Sequence, residues 1–101
     1  MSEILHIMMA LRDQIKLYHW QTLHYPRHDA TGHLVDELDK LIDNFVETYM
    51  GKYGRPKFTG KIILKNHSDK EAPQVLQDAV EYMTHRLPKL LKSTDTDLLL
   101  S

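Results

Sequence analysis

The sequence predicts an all-α fold, a single helical bundle. Two long segments repeat apolar residues at three- and four-residue intervals. A third amphipathic segment follows a Ser-x-x-Glu capping box. At 101 residues the chain is the length of one domain, 1–101, and long enough to bury a modest core without help.

The first helix is expected over about 2–24, where Ile4, Met8, Leu11, Ile15, Tyr18 and Thr22 make one face. Tyr25-Pro26 should interrupt it, because proline disfavours helix in the residue before it and lacks a backbone donor. A second helix is expected over about 28–50. Its apolar line is Leu34, Leu38, Leu41, Ile42, Phe45 and Tyr49, and Gly51 stands where a left-handed residue ends a helix. The connection 51–67 has three Gly, one Pro, five Lys or Arg and no acid, with a short extended piece expected at 62–64. Ser68 and Glu71 then form the capping box of a third helix, about 69–92, with Val75, Leu76, Ala79, Val80, Met83, Leu87 and Leu90 on its apolar side and Pro88 as a kink or end. Thr94 to Asp97 offer N-caps before three leucines, which reads as a truncated or short fourth helix, or a stub that packs on a neighbour.

Composition narrows the chemistry. With no Cys there are no disulfides, thiolate zinc sites or thiol catalysis, so His and carboxylates are the strong metal ligands left. Thirteen basic against fourteen acidic side chains give no global field toward nucleic acid or an anionic membrane. No apolar run approaches the ~20 residues of a membrane span. Residues 1–10, interrupted by Glu3 and His6, do not resemble a signal peptide, so the expected location is cytoplasmic with no membrane partner. No P-loop is present, and no nucleophile motif joins the Ser, His and Asp residues.

The candidate site is a stripe of metal ligands. At about 100° per residue, His28, Gly32, Asp36, Asp39, Asp43 and Glu47 share roughly one quadrant of the second helix, with the expected apolar line nearly opposite. The same pattern is what a solvated helix face carries. On the first helix, however, Leu5, Met9 and Trp20 project away from the expected core face and leave a second apolar patch, as helices that associate through their outer side do. Carboxylates and imidazoles facing a second chain there suit divalent iron, with manganese or zinc as alternatives.

The segment KLYHW, a following His and LIDNFVE resemble the first two helices of ferritin-like proteins of the Dps class, in which a His-Trp pair, a second His and an Asp-x-x-x-Glu pair recur. HWQT and GKYGR also resemble small ferritin-like proteins of phages and related bacteria. The resemblance covers about 4–56 and implies a ferritin-like bundle of three helices plus a truncated or short fourth. It further implies ferroxidase chemistry, the oxidation of ferrous iron by dioxygen or peroxide. His19, His28, Asp43 and Glu47 would be the catalytic metal ligands, in a site shared across a two-fold axis, and a phage or virus setting becomes an alternative to the cytoplasm. Where the class has an acid one turn after the second His, this chain has Gly32. Asp36 and Asp39 stand as reserve acids and His24 as a reserve nitrogen.

Two other readings follow from the residues. A non-enzymatic structural or assembly protein would keep the bundle and the homo-oligomer, at least a dimer, without redox activity. The connection 51–67 is the one local place for a nucleic-acid contact, through Lys52, Arg55, Lys57, Lys61 and Lys65 with Tyr53 and Phe58 for stacking. A solvated loop explains the same residues.

Overall fold

A computed structural model describes residues 2–82 and residue 85. Among them the chain is all-α, with α1 over Ser2–Gln21, α2 over Tyr25–Tyr53 and α3 over Ala72–Glu81. The expected fourth helix, Pro88 and the apolar residues beyond Tyr82 lie outside the described residues. Among the described residues, no helix is long and apolar enough to cross a membrane.

Helices α1 and α2 form an antiparallel hairpin, since His19 meets His28 while Arg12, two turns earlier, meets Asp39. The corner has the expected length but lies three residues earlier in the chain. Helix α1 stops at Gln21, and Pro26 opens α2 instead of merely separating the two. A proline in the first turn sacrifices no hydrogen bond, because those amides have no helical acceptor. At the other end α2 runs through Gly51 to Tyr53. The left-handed glycine is Gly54, with φ of 86° and its N–H donated to the Met50 carbonyl at 3.1 Å.

The core is centred on Ile15, Val35 and Leu38, with Ile42 and Leu76 packed against it. This corrects the expected α2 face. Leu41 is 65% exposed and Leu34 is exposed as well, whereas Val35 is 1% exposed and Thr31 is buried. Thr31 can occupy a core position because its hydroxyl donates to the Arg27 carbonyl at 2.6 Å, one turn back, and brings no unsatisfied polar atom inside. The face through residues 31, 35, 38 and 42 is turned by roughly 40° from the expected line. The His28 stripe therefore flanks the core instead of lying opposite it.

A second correction concerns α1. Leu5, expected outside, is buried at 8%, while Met9 and Trp20 are exposed. The connection after α2 folds back along α1 and covers a second side of it, beginning next to Leu5 at His6. His6 Nε2–H donates to the Lys61 carbonyl at 2.8 Å, and the His6 ring meets Phe58 edge-on at 5.4 Å. The Gln14 amide donates to the Lys65 carbonyl at 2.6 Å and accepts from its N–H at 2.9 Å, as a neighbouring strand would. Gln21 reaches Asn66 at 2.6 Å. Residues 62–64 form no strand, and the main-chain groups on either side of them, at Lys61 and Lys65, are held by side chains of α1. The connection ends in the expected capping box. Glu71 N–H donates to Ser68 Oγ at 3.3 Å and Ser68 N–H to Glu71 Oε1 at 3.2 Å, although regular helix begins only at Ala72. The two Ser68 donors hold the Glu71 carboxyl below the usual carboxylate range.

Candidate metal centre

His19 sits in the last turn of α1 and His28 in the first turn of α2, and the hairpin stacks their rings at 3.9 Å with 18° between planes. Each ring is tied to the other residue's main chain. His19 Nδ1–H donates to the His28 carbonyl at 2.5 Å and His28 Nδ1–H to the His19 carbonyl at 2.8 Å. A carbonyl only accepts, so both protons must sit on Nδ1. In the neutral form each ring therefore keeps a free lone pair on Nε2. That is how protein scaffolds orient metal-binding imidazoles, with the second nitrogen donating to a fixed acceptor.

Beside the pair lies an open depression of about 360 Å³ lined by Lys16, His19, Tyr25, His28, Asp29, Gly32, His33 and Asp36. Gly32 is what lets the His19 ring lie down on α2. A Cβ there would come within 2.9 Å of His19 Cε1, closer than real Cβ atoms approach. The absence of an acid at this position thus has a steric cause: the space belongs to the imidazole.

The carboxylates expected as ligands are elsewhere. Asp43 lies fifteen residues beyond His28 on the same helix, about 22 Å along its axis, and Glu47 about 6 Å further. Both are exposed, and Asp43 lines a second open depression of about 510 Å³ with Asp39, Lys40, Ile42 and Val46. Among the described residues no three His or acidic side chains of one chain converge as a metal-binding group. Two of the reserve residues are engaged. Asp39 accepts from Arg12 Nε at 2.8 Å and Nη2 at 3.3 Å, a fork that holds its carboxyl below the usual range. His24 lies 3.6 Å from Asp69, away from the stacked pair. Asp36 is exposed and borders the His19–His28 depression.

Sequence reasoning did not single out Asp69, the carboxylate with the most hydrogen bonds among the described residues. Its Oδ1 accepts from Thr22 Oγ1 at 2.5 Å and Tyr18 Oη at 2.6 Å, and its Oδ2 from the Leu23 N–H at 3.0 Å. Arg27 Nη1 donates to its carbonyl at 2.5 Å and to Tyr18 Oη at 3.2 Å. The Thr22 and Tyr18 hydroxyls, then the Leu23 N–H and the nearby His24, hold the Asp69 carboxyl at about 2, against the opposing cost of desolvation. The only local signal was its place one residue after the capping Ser68.

Residues 19–99 match the model of a family of unknown function, DUF5856. The chain belongs to the DUF5856 family. Within DUF5856, then, the matched region begins at His19 and holds both rings of the stacked pair, Asp43 and Glu47. Over 61 residues the chain is 39% identical to an uncharacterised 14.6 kDa protein of the mobD–ri intergenic region of enterobacteria phage T4, which covers 60% of this chain and 47% of that protein. It is 29% identical over 76 residues to a ferrochelatase of Francisella tularensis subsp. novicida (strain U112), 69% of this chain and 22% of that protein. The chain thus spans less than half the length of either curated relative. No solved structure matches it.

Proposed function

We propose that this DUF5856 protein is a ferritin-like bundle that binds divalent metal, iron first, at a site completed by a second copy of the chain, with ferroxidase activity as its chemistry. The observation that carries this reading is the reciprocal His19–His28 clamp, which fixes two imidazoles and leaves both Nε2 atoms without a hydrogen-bond partner among the described residues, beside an open depression. Imidazole and carboxylate together make a donor set that suits ferrous iron, with manganese and zinc as alternatives. His19 and His28 would supply neutral nitrogens, and Asp43 and Glu47 of a second copy the charge that holds the oxidised ion. Iron here is the substrate, oxidised by dioxygen or peroxide.

Helix geometry supports a shared site. If two α2 helices pair antiparallel about a two-fold axis near Asp36, His28 of one copy comes opposite the Asp43–Glu47 turn of the other. The same pairing sets the acids of both stripes against each other, which is repulsive until a cation stands between them. Metal and assembly are therefore coupled. The phage T4 relative favours a phage-associated setting over a purely cellular one, and the ferrochelatase relative carries iron in its name.

The test is anaerobic titration with ferrous ion, followed by optical or Mössbauer spectroscopy. Binding that is lost in both His28→Ala and Asp43→Ala is expected; binding indifferent to both sinks the reading. A second reading, an assembly protein without redox activity, is favoured by one observation, the occupation of the acid position beside Gly32 by the His19 ring. It predicts a dimer that forms equally well with chelator present and an iron oxidation rate at background.

A further inference from the structure

We propose that the segment 55–65 docks the protein peripherally on an anionic lipid surface. The near-zero charge of the whole chain conceals a segregation: residues 51–67 hold five Lys or Arg and no acid. Arg55, Lys57, Lys61 and Lys65 are exposed and take part in no ion pair among the described residues. Of the two acids on α1, the helix the segment lies along, Asp13 is already paired with Arg12 at 3.4 Å, and Glu3, one turn before His6, is exposed near the Lys61 end of the segment but forms no ion pair with it among the described residues. At two of these cations the main chain is held, because His6 holds the Lys61 carbonyl and Gln14 holds both main-chain polar groups of Lys65. A charged surface thus meets a display whose ordering cost is already met in the folded chain.

Exposed apolar side chains choose between the phosphates of a lipid headgroup and those of a nucleic acid. Ile63 is 79% exposed and Leu64 42%, directly between Lys61 and Lys65. An aliphatic side chain offers a base no ring to stack on, whereas the boundary between headgroups and acyl chains accepts it. The aromatic rings that a nucleic acid would need, Phe58 at 42% and Tyr53 at 53%, are less exposed than Ile63 and already have ring partners. Phe58 stands edge-on to His6 at 5.4 Å and Tyr53 lies against Tyr49 at 5.0 Å. Cations flanking exposed aliphatics on an anchored backbone fit a membrane surface held by charge and shallow insertion. Net charge argued against a membrane partner because it averaged this segment with the acids of α2.

Co-sedimentation of the full chain with vesicles tests the proposal. Binding is expected to vesicles of phosphatidylcholine mixed with phosphatidylserine and not to phosphatidylcholine alone. Each neutralised cation should weaken partitioning about five-fold. The Lys57→Gln, Lys61→Gln, Lys65→Gln variant should therefore lose about a hundred-fold. Ile63→Ser, which changes no charge, should lose about ten-fold. These positions are exposed, so unchanged helical circular dichroism keeps the comparison valid. No binding to the anionic vesicles, vesicle binding indifferent to Ile63→Ser, or tighter binding to oligo(dT) than to the vesicles would each overturn it.

Discussion

Two polar clusters are built from the α1–α2 corner, and they differ in what they have left to give. At Asp69 both carboxylate oxygens are taken by hydroxyls and a main-chain N–H, and the carboxyl is held at about 2 as a result. It ties the α1–α2 corner to the start of α3, and its hydrogen-bonding capacity is spent within the fold. At His19 and His28 only half the capacity is used, since each Nδ1 is tied to a carbonyl and each Nε2 is not. A saturated cluster builds structure; a half-satisfied one of fixed geometry is prepared for something from outside. Both clusters draw on nearly the same stretch of chain, so they separate stability from binding cleanly.

The largest effect that would sharpen this contrast is His28→Ala, which should weaken ferrous binding by more than about a hundred-fold through loss of a direct ligand while leaving the Asp69 cluster intact. Asp69→Asn should do the reverse. The amide carries no charge and has one acceptor oxygen where the carboxylate has two, so either the Leu23 N–H loses its acceptor or the Thr22 and Tyr18 hydroxyls must turn from donors to acceptors. Stability falls, while metal affinity per folded chain stays the same. The pH dependence tells the same story. Because the folded Asp69 carboxyl titrates at about 2 against an ordinary 3.8, its stabilisation is complete above the unfolded value and is lost as pH falls through that window. Urea melts of the native chain should therefore weaken steeply below pH ~4, and those of Asp69→Asn less so. If Asp69→Asn keeps the native acid sensitivity, the cluster is not what the structure makes it.

Gly32→Ala probes the boundary between the two behaviours. Alanine favours helix over glycine by up to about 1 kcal/mol, but its Cβ would displace the His19 ring. The expected outcome is unchanged or raised thermal stability with metal affinity lowered about ten-fold. The smallest change is Ser68→Ala, which removes a cap and should cost about 1 kcal/mol in denaturant unfolding without touching metal binding.

How much of this could be read in the sequence depends on chain separation. The helices and the Ser68–Glu71 box were legible because they are local patterns. The phase of α2 was not, because Leu34 and Leu41 look like core residues whereas Thr31 does not, and only packing against α1 shows that Thr31 can satisfy its hydroxyl from its own helix. Leu5 was misplaced for a similar reason: the connection that meets α1 next to it, at His6, comes more than fifty residues later in the chain. Asp69 was invisible because its partners are 46 and 47 residues away at Leu23 and Thr22, and 51 away at Tyr18. His19 and His28 were legible as ligand candidates from residue type and resemblance. Their stacking and shared carbonyl anchoring were not, because both depend on the tight corner that Pro26 opens.

Subunit mixing tests most directly whether the histidine pair of one chain is completed by Asp43 and Glu47 of another. His28→Ala and Asp43→Ala, each inactive alone, are mixed, and ferrous binding is measured anaerobically. In a two-fold dimer half the dimers are mixed and each rebuilds one of its two sites, so about a quarter of native capacity should return. Recovery near that level is the predicted result; a mixture that binds no more than its components contradicts the account.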